Sequence, residues 1–296
     1  MSPPPTGQDS TPGPGIGRPI LWAHRGASAL APENTIQAFE LAVRLGATGL
    51  ESDVHLTLDG VPVLVQDPRI RRGGRWTIIA RHTSAELRRW QVPSLDDLYR
   101  AVGIELPLSL DLNDPRTSAV ADAVVASARQ AGGAPVVGLL HLCLADIGEL
   151  ERQAARQPDA TWVHSGSRPS ISGGFAAHAR RLMDSGIDVL NLRWPAWGSG
   201  HRRAEAVASV HAVGIRAFAW DTQRASLAEP LLVAGVDGVY ADDPRQLITA
   251  FDRAVARERK HAQWGPPPTG GRSARSIVTG ATEVDACQVR SRSCQG

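Results

Sequence analysis

Between residues 19 and 256, short apolar runs alternate with longer stretches in which apolar residues recur every three or four positions. Short runs bounded by glycine, proline or polar clusters predict buried strands, and three-and-four spacing predicts amphipathic helices. The predicted strands are 19–24, 49–54, 107–111, 136–141, 161–164, 189–192, 215–220 and 238–240. Helices fit between them, for example 35–45, where Ile36, Phe39, Leu41 and Ala42 recur at helical spacing, and 119–131. Strands alternating with helices are the pattern of βα units around a parallel sheet. Eight of them predict the α/β class and a closed (β/α)8 TIM barrel, which uses about 250 residues as one domain.

One stretch breaks the alternation. Residues 50–67 contain two strand-like runs joined by Asp59-Gly60, a strong hairpin dipeptide. The second barrel strand is therefore expected to continue into a β-hairpin extension. With Asp59 and Gly60 as the two turn residues, Asp53 would face Gln66, which returns Gln66 to the level of Glu51 and Asp53.

Residues 1–18 are rich in Pro, Gly, Ser and Thr, and 257–296 turn polar again. Neither can bury enough apolar surface to order itself, so both are expected to be disordered tails. Net charge is +2 and the basic residues are scattered through the body, which gives no case for nucleic acid or a membrane surface as partner. All but one of the 32 basic residues are arginine, Lys260 being the exception, so no lysine in the body is available for chemistry. Cys143, Cys287 and Cys294 form neither a disulfide framework nor a zinc set. The start lacks the basic and apolar blocks of a signal peptide, and no apolar run is long enough for an integral membrane segment. A cytoplasmic location is expected.

Chemistry in such a barrel sits where the strands end at one face. His24 and Arg25 close the first strand, Glu51 and Asp53 lie near the end of the second, and Asp111 ends the third. Glu51 and Asp53 are two apart, so both carboxylates point into the barrel. Buried side by side they repel each other unless a cation lies between them. With Asp111 they offer three hard oxygen ligands, suited to one Mg²⁺ or Ca²⁺. The other reading is structural pairing of these acids with arginines. His24 next to a metal and an arginine is a candidate proton carrier. Arg25 offers a fork for phosphate, and Gly26 lets the backbone approach a ligand. Pro32-Glu33-Asn34-Thr35 leads into a helix, with Asn34 or Thr35 as N-cap; Glu33 and Asn34 are placed to shape the first loop. Trp220 ends the seventh strand, as pocket wall or as barrel core.

Together, Ala23-His24-Arg25-Gly26, Ala31-Pro32-Glu33-Asn34-Thr35, Leu50-Glu51-Ser52-Asp53-Val54, Leu56-Thr57-Leu58-Asp59-Gly60 and Gly235-Val236-Asp237-Gly238-Val239 resemble, in order and spacing, the glycerophosphodiester phosphodiesterase family. The resemblance spans roughly residues 19 to 250 and is strongest in the first 70. It implies a barrel enzyme of glycerol and lipid metabolism that hydrolyses glycerophosphodiesters, or lysophospholipid-like substrates, to an alcohol and glycerol phosphate. It also implies one divalent metal and two histidines as acid and base. The family's His-Arg-Gly histidine falls on His24, its metal carboxylates on Glu51 and Asp53, and its third metal carboxylate, usually Glu, on Asp111; related sphingomyelinase D enzymes look to use Asp there. Two positions depart. The second catalytic histidine falls on Gln66, which cannot exchange a proton near neutral pH. The lysine after the third ligand falls on Asn113, with Arg193 as a candidate substitute for its charge. His55, His141 and His164 are candidates to replace the missing histidine, and each otherwise reads as a surface or loop residue. The resemblance thus leaves two outcomes, an active phosphodiesterase or a phosphodiester-binding barrel with impaired turnover; oligomeric state is open.

Overall fold

The computed structural model describes residues 18–168, 171 and 173–263. The chain runs β1 (Ile20–His24), α1 (Ile36–Arg44), β2 (Gly49–Leu56), β3 (Pro62–Leu64), β4 (Arg69–Arg72), β5 (Arg75–Ile78), α2 (Ser84–Arg88), α3 (Leu95–Val102) and β6 (Leu108–Asp111). It continues through α4 (Thr117–Gly132), α5 (Ala134–Val137), β7 (Leu140–Leu144), α6 (Ile147–Arg156), β8 (Thr161–Gly166), α7 (Phe175–Asp184) and β9 (Val189–Arg193). α8 (His201–His211), β10 (Arg216–Trp220), α9 (Ala225–Val233), β11 (Gly238–Ala241) and α10 (Pro244–Gln263) complete it. Eight strands pair in parallel in the order β1-β11-β10-β9-β8-β7-β6-β2, and β2 returns to β1 to close the predicted barrel. No described helix is long and apolar enough to cross a membrane.

The pairing register decides which residues meet inside. Trp22 stands beside Gly49 and Tyr240, Glu51 beside Ser109, Asp53 beside Asp111, and Asp111 beside Cys143. Because side chains alternate across a strand, the residues in step with these line the interior. Trp22, Cys143, Val163, Val189, Phe218 and Tyr240 form one buried cluster that fills the barrel as a floor. A Cβ on Gly49 would lie 2.5 Å from the Trp22 ring, so the indole occupies the space a side chain would need. Overpacking of that kind costs about 1–3 kcal/mol. The opposite strand faces, with Leu50, Val54, Leu110, Leu142, Leu190 and Val239 among others, pack under the helices in the main core.

Three expectations are corrected. Residues 136–141 are not the fourth strand: Pro135 opens the short helix α5, and the strand begins at Leu140. His141 consequently lies at the base of the barrel, buried, with its ring 5.1 Å from Trp22 and 5.8 Å from Phe218. β8 runs on to Gly166, so His164 is internal to its strand and fully buried on the outer face, where its Nδ1 lies 3.1 Å from His178 Nε2. Neither is a surface or loop histidine. The hairpin is the third case. Val54, His55 and Leu56 pair with Leu64, Val63 and Pro62, so the loop has three residues, Leu58, Asp59 and Gly60, and Val65 instead of Gln66 stands opposite Asp53. The polar tail expected from 257 begins inside α10, and residues 1–17 and 264–296, with Cys287 and Cys294, lie outside the described residues.

Burial holds His164 neutral, pulling it down to about 4, with His178 adding to the shift. Two neutral imidazoles share one donor and one acceptor; protonating the accepting nitrogen places two donors face to face. A depressed histidine contributes stability that is complete above its unfolded pKa near 6.5 and is lost as pH falls towards 4. The side-chain nitrogen NMR signals of His164 should stay in the neutral pattern at pH 5 while those of an exposed histidine titrate. Titration of His164 near 6.5 would contradict this packing.

Candidate active site

Strand alternation that buries the floor also carries charged groups to the mouth. His24 ends β1, Glu51 and Asp53 follow on β2, and Asp111 ends β6. Glu51 and Asp53 are almost fully buried. One oxygen from each of Glu51, Asp53 and Asp111 lies within 4.8 Å of the others. Burial pushes the Glu51 and Asp111 carboxyls well above the ordinary range; Asp53 raises both further, while His24 opposes the rise. Asp53 Oδ2 is buried without a hydrogen-bond partner. Arg25 Nε lies 3.1 Å from it, an ion pair not aligned as a hydrogen bond. A cluster of oxygen donors with an unfilled buried lone pair fits a hard divalent cation. The pairing of acid with arginine, the other reading of these residues, is also present through Arg25.

His24 is the candidate proton carrier at this mouth. Its Nδ1 is 2.7 Å from Asp242 Oδ1 and its Nε2 3.8 Å from Glu51 Oε2. Burial alone would depress the imidazole, but the Glu51 carboxylate and the Asp242 hydrogen bond outweigh it and raise it to about 9. With Nδ1 held by Asp242, Nε2 is the nitrogen that faces the acids. Asp242, at the end of the eighth barrel strand, joins the candidate site although no sequence motif assigns it a role. The signal for it lies in closure of the barrel: Ala23 pairs with Ala241, so the residues that follow, His24 and Asp242, meet at the seam between first and last strands.

The first loop is pinned to the acids. Arg25 N–H donates to the Glu51 carbonyl (3.0 Å) and to Glu51 Oε2 (2.9 Å), and Arg25 Nη1 donates to Glu33 Oε2 at 3.1 Å. Arg25 and Asn34 both hold left-handed backbone, φ 56° each, a conformation costing about 1–3 kcal/mol that survives where surroundings dictate it. Asn34 is buried, its N–H donates to the Arg25 carbonyl, and its Oδ1 accepts from Ser52 Oγ at 2.7 Å. Thr35, not Asn34, caps α1. Gly26 serves packing instead of a ligand: a Cβ there would lie 2.6 Å from the Ala38 backbone of α1.

The remaining candidates stand further out. Asn113 Nδ2 donates to Asp53 Oδ1 at 3.1 Å. Arg193 is held by Asp221 (2.7 Å), and its guanidinium lies 5.9 Å from the ring of Trp220, which is 40% exposed and therefore rim, not core. Gln66 is exposed, just beyond the last hairpin hydrogen bond, from Val65 N–H to the Asp53 carbonyl. His55 is buried between Asp114 Oδ2 (3.7 Å) and the Gln66 carbonyl (3.1 Å); it secures the hairpin and is not a surface group.

Residues 24–130 match the model of the glycerophosphoryl diester phosphodiesterase family. A Mycobacterium tuberculosis protein called "Probable glycerophosphodiester phosphodiesterase 1" is 40% identical over 107 residues, 36% of this chain and 39% of that protein. The chain thus spans about two fifths of that relative. A glycerophosphodiester phosphodiesterase of Caldanaerobacter subterraneus is 23% identical over 250 residues, 77% of this chain and 96% of its own. Among solved structures, an Oleispira antarctica phosphodiesterase in complex with the product sn-glycerol-3-phosphate superposes with TM-score 0.65 at 24% identity, covering 78% of this chain and 96% of its own. The Thermotoga maritima glycerophosphodiester phosphodiesterase gives 0.63 at 22%, covering 77% and 97%.

Proposed function

Taking as premise that the chain belongs to the glycerophosphoryl diester phosphodiesterase family, we propose that it hydrolyses glycerophosphodiesters to an alcohol and glycerol phosphate at the barrel mouth. The observation that carries this is the triad of Glu51, Asp53 and the half-buried Asp111 beside the His24–Asp242 pair. Glu51, Asp53 and Asp111 would hold one divalent cation, Mg²⁺ or Ca²⁺, which would supply polarisation of a phosphoryl oxygen and neutralise charge developing on it.

The chain's own groups do the rest. With the charge of Glu51 neutralised by a cation, His24 Nε2 would take the proton of the attacking hydroxyl and return it to the departing alcohol oxygen. Where water attacks, glycerol phosphate forms directly; where the adjacent hydroxyl of the substrate attacks, the first product is a cyclic phosphate that water then opens to glycerol phosphate. Asp242 fixes the ring with Nδ1–H towards itself, so the exchanging nitrogen always points at the acids. Arg25 keeps donors in its guanidinium fork beyond those used on Glu33, and these suit a phosphate oxygen. Arg193 and Trp220 form the outer wall for the alcohol. Removing the charge of Asp242 in Asp242→Asn is expected to lower the titration of His24 in chelated protein, followed by NMR, and to cut turnover about 10–100-fold, the usual effect of losing an orienting partner. An unshifted His24 would remove Asp242 from this role.

A second reading rests on Gln66. An amide at the position of the second proton carrier leaves His24 to serve both steps, and Asn113 supplies no charge where the family has lysine; the barrel would then bind phosphodiesters with little turnover. Release of choline from glycerophosphocholine separates the two. If the protein is an enzyme, wild type turns over and Gln66→His changes its rate modestly; a silent wild type awakened by Gln66→His favours the binding protein.

A further inference from the structure

The segment 68–85 plays no part in this chemistry and differs in composition from the rest of the body. It contains Arg69, Arg71, Arg72, Arg75 and Arg81 and no acidic residue. Its first part forms the two-stranded ribbon β4–β5, turned at Gly73-Gly74, which pairs with no other strand among the described residues. Arg69 pairs with Ile78, Ile70 with Thr77, Arg71 with Trp76 and Arg72 with Arg75. Directly opposed residues share a face, and alternate residues along a strand share it too. Arg69, Arg71, Trp76 and Ile78 therefore stand on one side of the ribbon. The other side is fixed to the body: Ile70 packs on the cluster of Val63, Ile79, Leu87 and Val92, and the Arg72 guanidinium lies 5.3 Å from the Trp90 ring.

The first side has no such cover. Arg69 and Arg71 are exposed, Trp76 is 62% and Ile78 39% exposed, and the Arg69 guanidinium lies 4.9 Å from the Trp76 ring. It also borders the mouth, since Arg69, Arg71 and Trp76 share with Gln66, Glu33 and Asn34 the walls of an open cleft of about 220 Å³. Two acids share that wall, Glu33, which is engaged by Arg25, and the exposed Asp67, so the arginines of the ribbon outnumber the one acid left unengaged by Arg25.

We propose that this face of the β4–β5 ribbon docks on an anionic phospholipid surface, with Arg69 and Arg71 on lipid phosphates and Trp76 and Ile78 in the interfacial layer. Guanidinium forks match phosphate oxygens, and an indole with an apolar body and a polar N–H settles at headgroup level. A nucleic-acid duplex, with its bases stacked inside, would use the arginines and leave the exposed Ile78 without a role. Docking in this orientation seats the barrel mouth beside the bilayer, where diesters released from lipids arise. Such docking does not depend on turnover.

Cosedimentation with vesicles of phosphatidylcholine alone and of phosphatidylcholine with about one-third phosphatidylglycerol tests it. The protein should partition into the anionic vesicles only. Each arginine at such a surface is worth about fivefold in partitioning, so Arg69→Ala with Arg71→Ala should weaken it on the order of 20-fold, the same pair as lysine should retain most of it, and Trp76→Ala should weaken it alone. Salt near 1 M, where the Debye length is about 3 Å, should release the protein. Absence of binding, equal binding to both vesicles, unchanged binding in the double alanine variant, or displacement by duplex DNA would each overturn the proposal.

Discussion

His24→Ala is expected to lower phosphodiester hydrolysis about 10²–10⁴-fold, the range lost when a positioned acid or base is removed. The loss should sit at the upper end, because among the described residues no candidate replacement stands free at the mouth to take over from His24. Gln66 cannot exchange one, His55 is bound into the hairpin, and His141 and His164 are buried on the floor and behind the barrel wall. KM should change little, since the imidazole is bound to Asp242 and does not reach outward for the substrate. Initial rates on glycerophosphocholine decide the matter, and a variant within about threefold of wild type would remove His24 from the mechanism.

The second large effect concerns the three acids. In Asp53→Asn combined with Asp111→Asn, two of the three charges facing one another in the buried cluster are gone. A cation bound only by the folded state stabilises it by about 2.7 kcal/mol at one hundred times its Kd, or about 5–10 °C in a barrel of this size. Wild-type Tm should rise by that amount when Mg²⁺ or Ca²⁺ is added to chelated protein, and the double variant should show no rise. A variant that keeps the cation-dependent shift would mean that other residues hold the ion.

Much of this site is readable from spacing. Glu51 and Asp53 share a face because a strand has period two, and His24 and Asp111 end apolar runs that can only be strands of the same sheet. What stays hidden depends on contacts between distant segments. Asp242 meets His24 only because the eighth barrel strand closes on the first. The stretch 136–140 is apolar throughout, and a continuous apolar run of that length does not distinguish a buried strand from a buried helical turn; Pro135 resolves it by opening α5. Asp59-Gly60 marks the hairpin correctly, but a three-residue loop shifts the register by one from a two-residue turn, and a shift of one exchanges the residue opposite Asp53. A glycine at position 26 suggests room for a ligand, whereas its space is taken by the backbone of α1, a contact no local pattern announces.

A cation-dependent phosphodiesterase at the mouth formed by His24, Glu51, Asp53 and Asp111 is tested most directly by product release. Glycerol 3-phosphate would be measured from glycerophosphocholine and glycerophosphoethanolamine with the purified chain, in Mg²⁺, in Ca²⁺ and in chelator. Product is expected with at least one cation and none with chelator; equal release with and without chelator, or no release under any of these conditions, would contradict the assignment.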